Sequence, residues 1–152
     1  SQASAMIGKD ALSRLGSQGQ WEVEVVCWMP PDKQRPPFSC ILDGLQSSSG
    51  ATLGKQNIRM DHDASVVTGD RPVVFVFERG EDGRAVRGYR YDVADGLAEI
   101  LARSRPAIIE PISREIAAHT ADELFTIRAL SEAELALLKP NRAASSGEAK
   151  TR

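Results

Sequence analysis

VVFVFERGEDGRAVRGYRY, residues 73–91, is the stretch whose reading decides the fold class. Two β-prone runs flank Asp82-Gly83, the kind of dipeptide that closes a tight turn, and together they predict an antiparallel hairpin. Upstream, WEVEVVCWM (Trp21 to Met29) alternates Trp21, Val23 and Val25 with Glu22 and Glu24 before becoming apolar throughout, as a strand does when it runs from a sheet margin into the interior. Trp21 and Trp28 then fall on opposite faces, so at least one is core. A further short strand is expected near Asn57 to Met60, and LFTIRAL (Leu124 to Leu130) returns as another before a last turn at SEAELALL.

Helices fill the remaining apolar periodicities. Ala5 to Leu15 predicts a helix with Met6, Leu12 and Leu15 inward, ended by Gly16. Pro36 and Pro37 open a second, whose Phe38, Ile41, Leu42 and Leu45 share one face. Asp92 is placed as the N-cap of a third, Val93 to Arg103, with Leu97, Ile100 and Leu101 buried; Pro106 stops it, and Pro111 permits a fourth to about His119. Helix, strand, helix and then several strands is an α+β order, with helices packed on a single mixed or antiparallel sheet.

The 152 residues suffice for one domain with a real core, expected over 1–139. Beyond Pro140, residues 141–152 carry no apolar side chain larger than alanine, and 140–152 are expected to form a disordered polar tail. Nineteen basic against 21 acidic side chains give a net charge of −2, which argues against a nucleic-acid surface or a polybasic membrane contact. No apolar run approaches the roughly 20 residues that span a bilayer, so a cytoplasmic location is expected. Cys27 and Cys40 lack CxxC spacing and form neither a zinc-finger nor a redox motif.

The chemistry-bearing stretch is CILDGLQSSSGATLGKQN, Cys40 to Asn57. Cys40, Asp43 and Gln46 recur every third residue and share the flank opposite the apolar face, where a thiol, a carboxylate and an amide would line one cleft. Gly50 to Lys55 is not a Walker A loop: only three residues separate Gly50 from Gly54, and Gln56 stands where Ser or Thr would hold magnesium. A tight turn after the helix is the better reading, with Lys55 left for an anion contact. Cys40 reads either as an inert buried thiol or as a thiolate favoured by the helix N-terminus. Asp61-His62-Asp63 reads as a solvated turn, because adjacent strand residues point to opposite faces, and His119 as a helix-end cap.

Several of these pieces resemble a known family, the FmdE-like components of formylmethanofuran dehydrogenase. Its members carry a Cys, then Asp-Ala-Ile-Gln or a close variant, then Thr-Gly-Cys-Thr and Gly-Lys-Gly-Asn. The corresponding string here is Cys40, Asp43-Gly44-Leu45-Gln46, Ser49-Gly50-Ala51-Thr52 and Gly54-Lys55-Gln56-Asn57. MIGKDALSRLG (Met6 to Gly16) is similar to the family's first helix, and ADELFTIRAL (Ala121 to Leu130) to the segment closing its core domain. The resemblance implies the α+β fold shared with the catalytic domain of glyceraldehyde-3-phosphate dehydrogenases. It also implies a setting in one-carbon metabolism through formyl carriers.

The family's HGHxCPG motif and the Cys of Thr-Gly-Cys-Thr supply a site usually taken to be zinc. Here SQASAM precedes Ile7 and Ala51 replaces that Cys, so the resemblance implies a divergent, metal-free member with no cofactor. The ligand-binding residues expected on this basis are Cys40, Asp43, Gln46, Thr52, Lys55 and Asn57. Asp43 and Gln46 would orient a ligand, Lys55 would supply charge, and Thr52 and Asn57 would donate hydrogen bonds around the turn. The expected role is an accessory or regulatory component of a larger complex, or a small-ligand binder, with a protein partner or a second copy of the chain. The alternatives are a thiol enzyme using Cys40 as nucleophile or redox thiol, and a purely structural component of such a complex.

Overall fold

The computed structural model describes residues 2–139, so the expected tail at 140–152 lies outside the described residues. Five strands form one sheet in the order β2-β1-β3-β4-β5: β1 (Glu24–Trp28), β2 (Ile58–Asp61), β3 (Val73–Arg79), β4 (Ala85–Val93) and β5 (Phe125–Ala129). β1 and β2 run parallel, and the other three pairings are antiparallel. The sheet is therefore mixed and the fold α+β. The β3–β4 hairpin turns through Gly80 to Arg84, where Gly80 N–H donates to the Arg84 carbonyl at 2.9 Å and Gly83 takes a φ of +81°. That left-handed angle is the reason glycine follows Asp82.

Strand alternation divides the apolar residues between the two faces. Val25, Cys27, Val74, Val76, Tyr91 and Phe125 join one core, over which the helices α1 (Gln2–Leu15), α2 (Ile41–Ser49), α3 (Asp95–Ala102) and α4 (Ile109–Ala117) pack. Val26, Trp28, Val73, Phe75 and Phe77 belong to the other core, covered by Val66 and Val67 of the β2–β3 loop and by Leu138 after the short α6 (Glu132–Leu137). A four-residue helix, α5 (Ala121–Leu124), leads into β5 and begins with a Thr120–Glu123 capping box.

α1 and α2 form the closest helix pair, meeting at Gly8. A Cβ there would fall 1.9 Å from Ser48 Oγ and 3.1 Å from the Ser49 backbone nitrogen, so only glycine permits this approach. The buried line of α1 is Ser4, Ile7, Gly8, Ala11 and Leu15; Leu15 is inward as expected, while Met6 and Leu12 pack against the same core half-buried from its flanks. Close packing against α2 brings the small residues Ser4, Gly8 and Ala11 to the centre beside Ile7 and Leu15.

Three other expectations change. Trp21 belongs to a 3₁₀ turn ahead of β1 and is 73% exposed, so Trp28 alone is core. Asp92 stays within β4, bonded to Arg90, and Ala94 precedes α3 without a side-chain cap. Strand pairing with Thr126 competes with helix entry there and keeps the chain in the sheet through Val93. Leu97 and Ile100 are buried as the spacing requires, but Leu101 is 46% exposed because α3 ends before another element covers that side.

Candidate functional site

The first turns of α1, the 3₁₀ turn Phe38–Cys40 and the end of α3 stand apart over the sheet and leave a cleft of about 570 Å³. Its walls are Ala3, Ser4 and Ile7 of α1, Pro37, Phe38, Cys40 and Ile41 on the approach to α2, and Leu97, Leu101 and Ser104 of and beyond α3. Val74, Tyr91, Val93 and Phe125 of the sheet form the floor, with Asp70 and Pro72 at one rim. A largely apolar cavity of this size with a few polar groups is what a small organic ligand requires.

Those polar groups have fixed roles. The Tyr91 hydroxyl donates to Asp10 Oδ2 at 2.5 Å, and the same oxygen accepts from Arg14 Nε at 2.6 Å. Burial, reinforced by the Asp10 carboxylate, raises the Tyr91 phenol well above its ordinary range. Tyr91 is therefore neutral, and with its proton committed its oxygen can only accept. Cys40 is exposed and lines the cleft, while Cys27 is buried in β1, where desolvation pushes its thiol up to about 12.

Of the six residues singled out from the sequence, Cys40 alone reaches this cleft. Asp43 borders a separate shallow depression with Gln2, Ala5 and Ser47. The other four knit the turn after α2. Gly50 caps the helix at a φ of +75°, with its N–H on the Gln46 carbonyl at 2.9 Å. Gln46 Oε1 accepts from Leu53 N–H at 3.2 Å, Thr52 Oγ1 from Lys55 N–H at 3.1 Å, and Asn57 Oδ1 from Thr52 N–H at 2.8 Å. Asn57 Nδ2 donates to the Gln20 and Val23 carbonyls, tying the turn to the start of β1. Lys55 Nζ donates to the Gly50 carbonyl at 2.8 Å and lies 5.6 Å over the Trp21 ring. Tight-turn geometry thus accounts for the Gly-Lys loop.

Ala51 is completely buried and offers a methyl group where the resembled family has a thiolate. Among the described residues no three His, Cys, Asp or Glu side chains come together as metal ligands. Asp61 and His62 are exposed, Asp63 accepts from Ser65, and His119 pairs with Glu123 at 3.3 Å. Reading the sequence for motifs passes over Asp70, Tyr91 and Leu101. Tyr91 carries a signal, since strand alternation places it on the helix-covered face; nothing local marks the other two.

An α+β domain with helices over one face of a five-stranded mixed sheet, opened into a ligand-sized cleft, is the class defined by fold and site. The particular family follows from comparison: residues 3–135 match the family described as FmdE, Molybdenum formylmethanofuran dehydrogenase operon, and the chain belongs to it. No curated protein matches the chain.

Proposed function

We propose that this FmdE-family chain serves one-carbon metabolism as an accessory protein that holds a small ligand without a zinc ion. The observation that supports the reading is the cleft between α1, α3 and the sheet, whose 570 Å³ suits a drug-sized molecule. Cys40 and Tyr91 contact the ligand; Gln46, Thr52, Lys55 and Asn57 hold the shape of the neighbouring turn. Family membership supports the association with formyl-carrier chemistry and with a protein partner. Native mass spectrometry of protein isolated from its own cells tests this: a bound small molecule, lost in Leu101→Trp at the cleft mouth, is the expected result. A mass equal to the bare chain, or stoichiometric zinc by elemental analysis, would count against it.

One observation favours the thiol-enzyme reading, namely that Cys40 is accessible within the cleft. Neither His62 nor His119 lines that cleft, so Cys40 has no imidazole beside it among the described lining residues.

A further inference from the structure

Charge in the cleft is one-sided. Asp70 is the only ionisable side chain of either sign, apart from the Cys40 thiol and the neutral Tyr91, among the described residues that line it. Its carboxylate is exposed and has no hydrogen-bond or ion-pair partner among the described residues. The cations nearby are otherwise engaged. Arg71 donates to Asp95 at 2.9 Å and to the Val93 carbonyl at 3.3 Å, and Lys33 and Arg35 lie 4.1 and 5.6 Å from the centre of the Phe38 ring without lining the cleft.

Tyr91 points the same way. Its proton is given to Asp10, so the phenol offers no donor to an anion in the cleft. An apolar cavity with an unpaired carboxylate at its rim and no cation in its lining is complementary to a donor-bearing cation and repels an anion, which would leave its charge unpaired beside Asp70.

Resting on the reading of this cleft as a ligand site, we infer that it selects apolar molecules carrying a protonated amine, with Asp70 as the counter-ion and specificity determinant. Carboxylates and phosphates are disfavoured.

Three probes of matched size test the inference by calorimetry at neutral pH: 1-naphthylmethylamine, 1-naphthylmethanol and 1-naphthoate. The amine is expected to bind about fivefold more tightly than the alcohol, as a charge contact at an exposed rim allows, and the carboxylate most weakly. Asp70→Asn, at an exposed position that the fold does not use, abolishes the amine's advantage while leaving the alcohol's affinity in place. Equal binding of amine and alcohol, preference for the carboxylate, or an unchanged advantage in Asp70→Asn overturns the amine inference but leaves the cleft reading standing, provided Leu101→Trp weakens the binding. Failure of all three probes to bind, or binding indifferent to Leu101→Trp, overturns the cleft reading and the amine inference with it.

Discussion

The two faces of the sheet are built on opposite plans. One lies beneath four helices whose contact is made by shape: Gly8 against Ser48, Leu45 and Ile7 in the core, and an open cleft where α1 and α3 diverge. The other lies beneath a loop and one short helix, and charge fastens its outer half. Glu134 on α6 accepts from Arg128 at 2.6 and 2.7 Å, from Arg90 at 2.9 Å and from the Ser131 N–H at 2.9 Å. Arg79 adds a second clasp, pairing with Glu24 and donating to the carbonyls of Leu138 and Lys139 at 2.8 Å. Long helices bury enough apolar area to leave a hole unfilled, whereas a six-residue helix needs directed bonds to stay in place.

The contrast can be broken most directly at Gly8. Gly8→Val places methyl groups inside Ser48, so α1 and α2 must separate; a loss of about 3 kcal/mol in urea unfolding is expected, at the upper end for overpacking. Adding Ser48→Gly should recover part of it. If Gly8→Val costs less than any change on the opposite face, the shape-packed face is not the main support of the fold.

Glu134 tests the other plan. Burial alone would raise this carboxyl, but hydrogen bonds from Arg128, from the Ser131 backbone and from Arg90 outweigh it and hold it down at about 2. The lowered value means that its contribution is complete above the ordinary glutamate range near 4.5 and is lost as pH falls toward 2. Glu134→Gln should lower stability by about 2 kcal/mol at neutral pH and flatten the acid limb of the stability profile in that window. An unaltered acid limb would mean the arginines find other partners.

Tyr91→Phe removes the hydrogen bond to Asp10 at the cleft floor and should cost about 1 kcal/mol. Because the native phenol is raised, the parent protein binds its proton more firmly folded than unfolded and loses stability as pH climbs above about 10. The variant should show a shallower alkaline decline, keeping the share that the raised Cys27 thiol contributes. Smallest is the effect of Cys40→Ser, within about 0.5 kcal/mol of the parent, as expected for an exposed side chain. Iodoacetamide should label one thiol per folded chain, Cys40, with Cys27 reacting only on unfolding; labelling of both in the native state would contradict the burial of β1.

Much of the fold was legible because its signals are local. Asp82-Gly83 between β-prone runs, the prolines before α2 and in the first turn of α4, and the apolar spacing of Leu97 and Ile100 each act within a few residues. Errors arose where a distant partner decided the matter. Pairing with β5 kept Asp92 in the sheet, and close contact with α2 turned Gly8 and Ala11 of α1 inward in place of Met6. Periodicity placed Cys40, Asp43 and Gln46 on one flank, yet Cys40 enters the cleft, Asp43 borders another depression and Gln46 bonds the turn.

What the sequence by itself determined is the α+β class, most of the elements and the family, since hydrophobic period, turn chemistry and motif order are properties of consecutive residues. Only the tertiary structure decided where a ligand could sit. The cleft gathers Ser4, Cys40, Asp70, Tyr91 and Leu101 from five separate stretches, and no spacing along the chain encodes that convergence. It exists because two helices diverge over one face of the sheet, and that divergence follows from how the whole core packs.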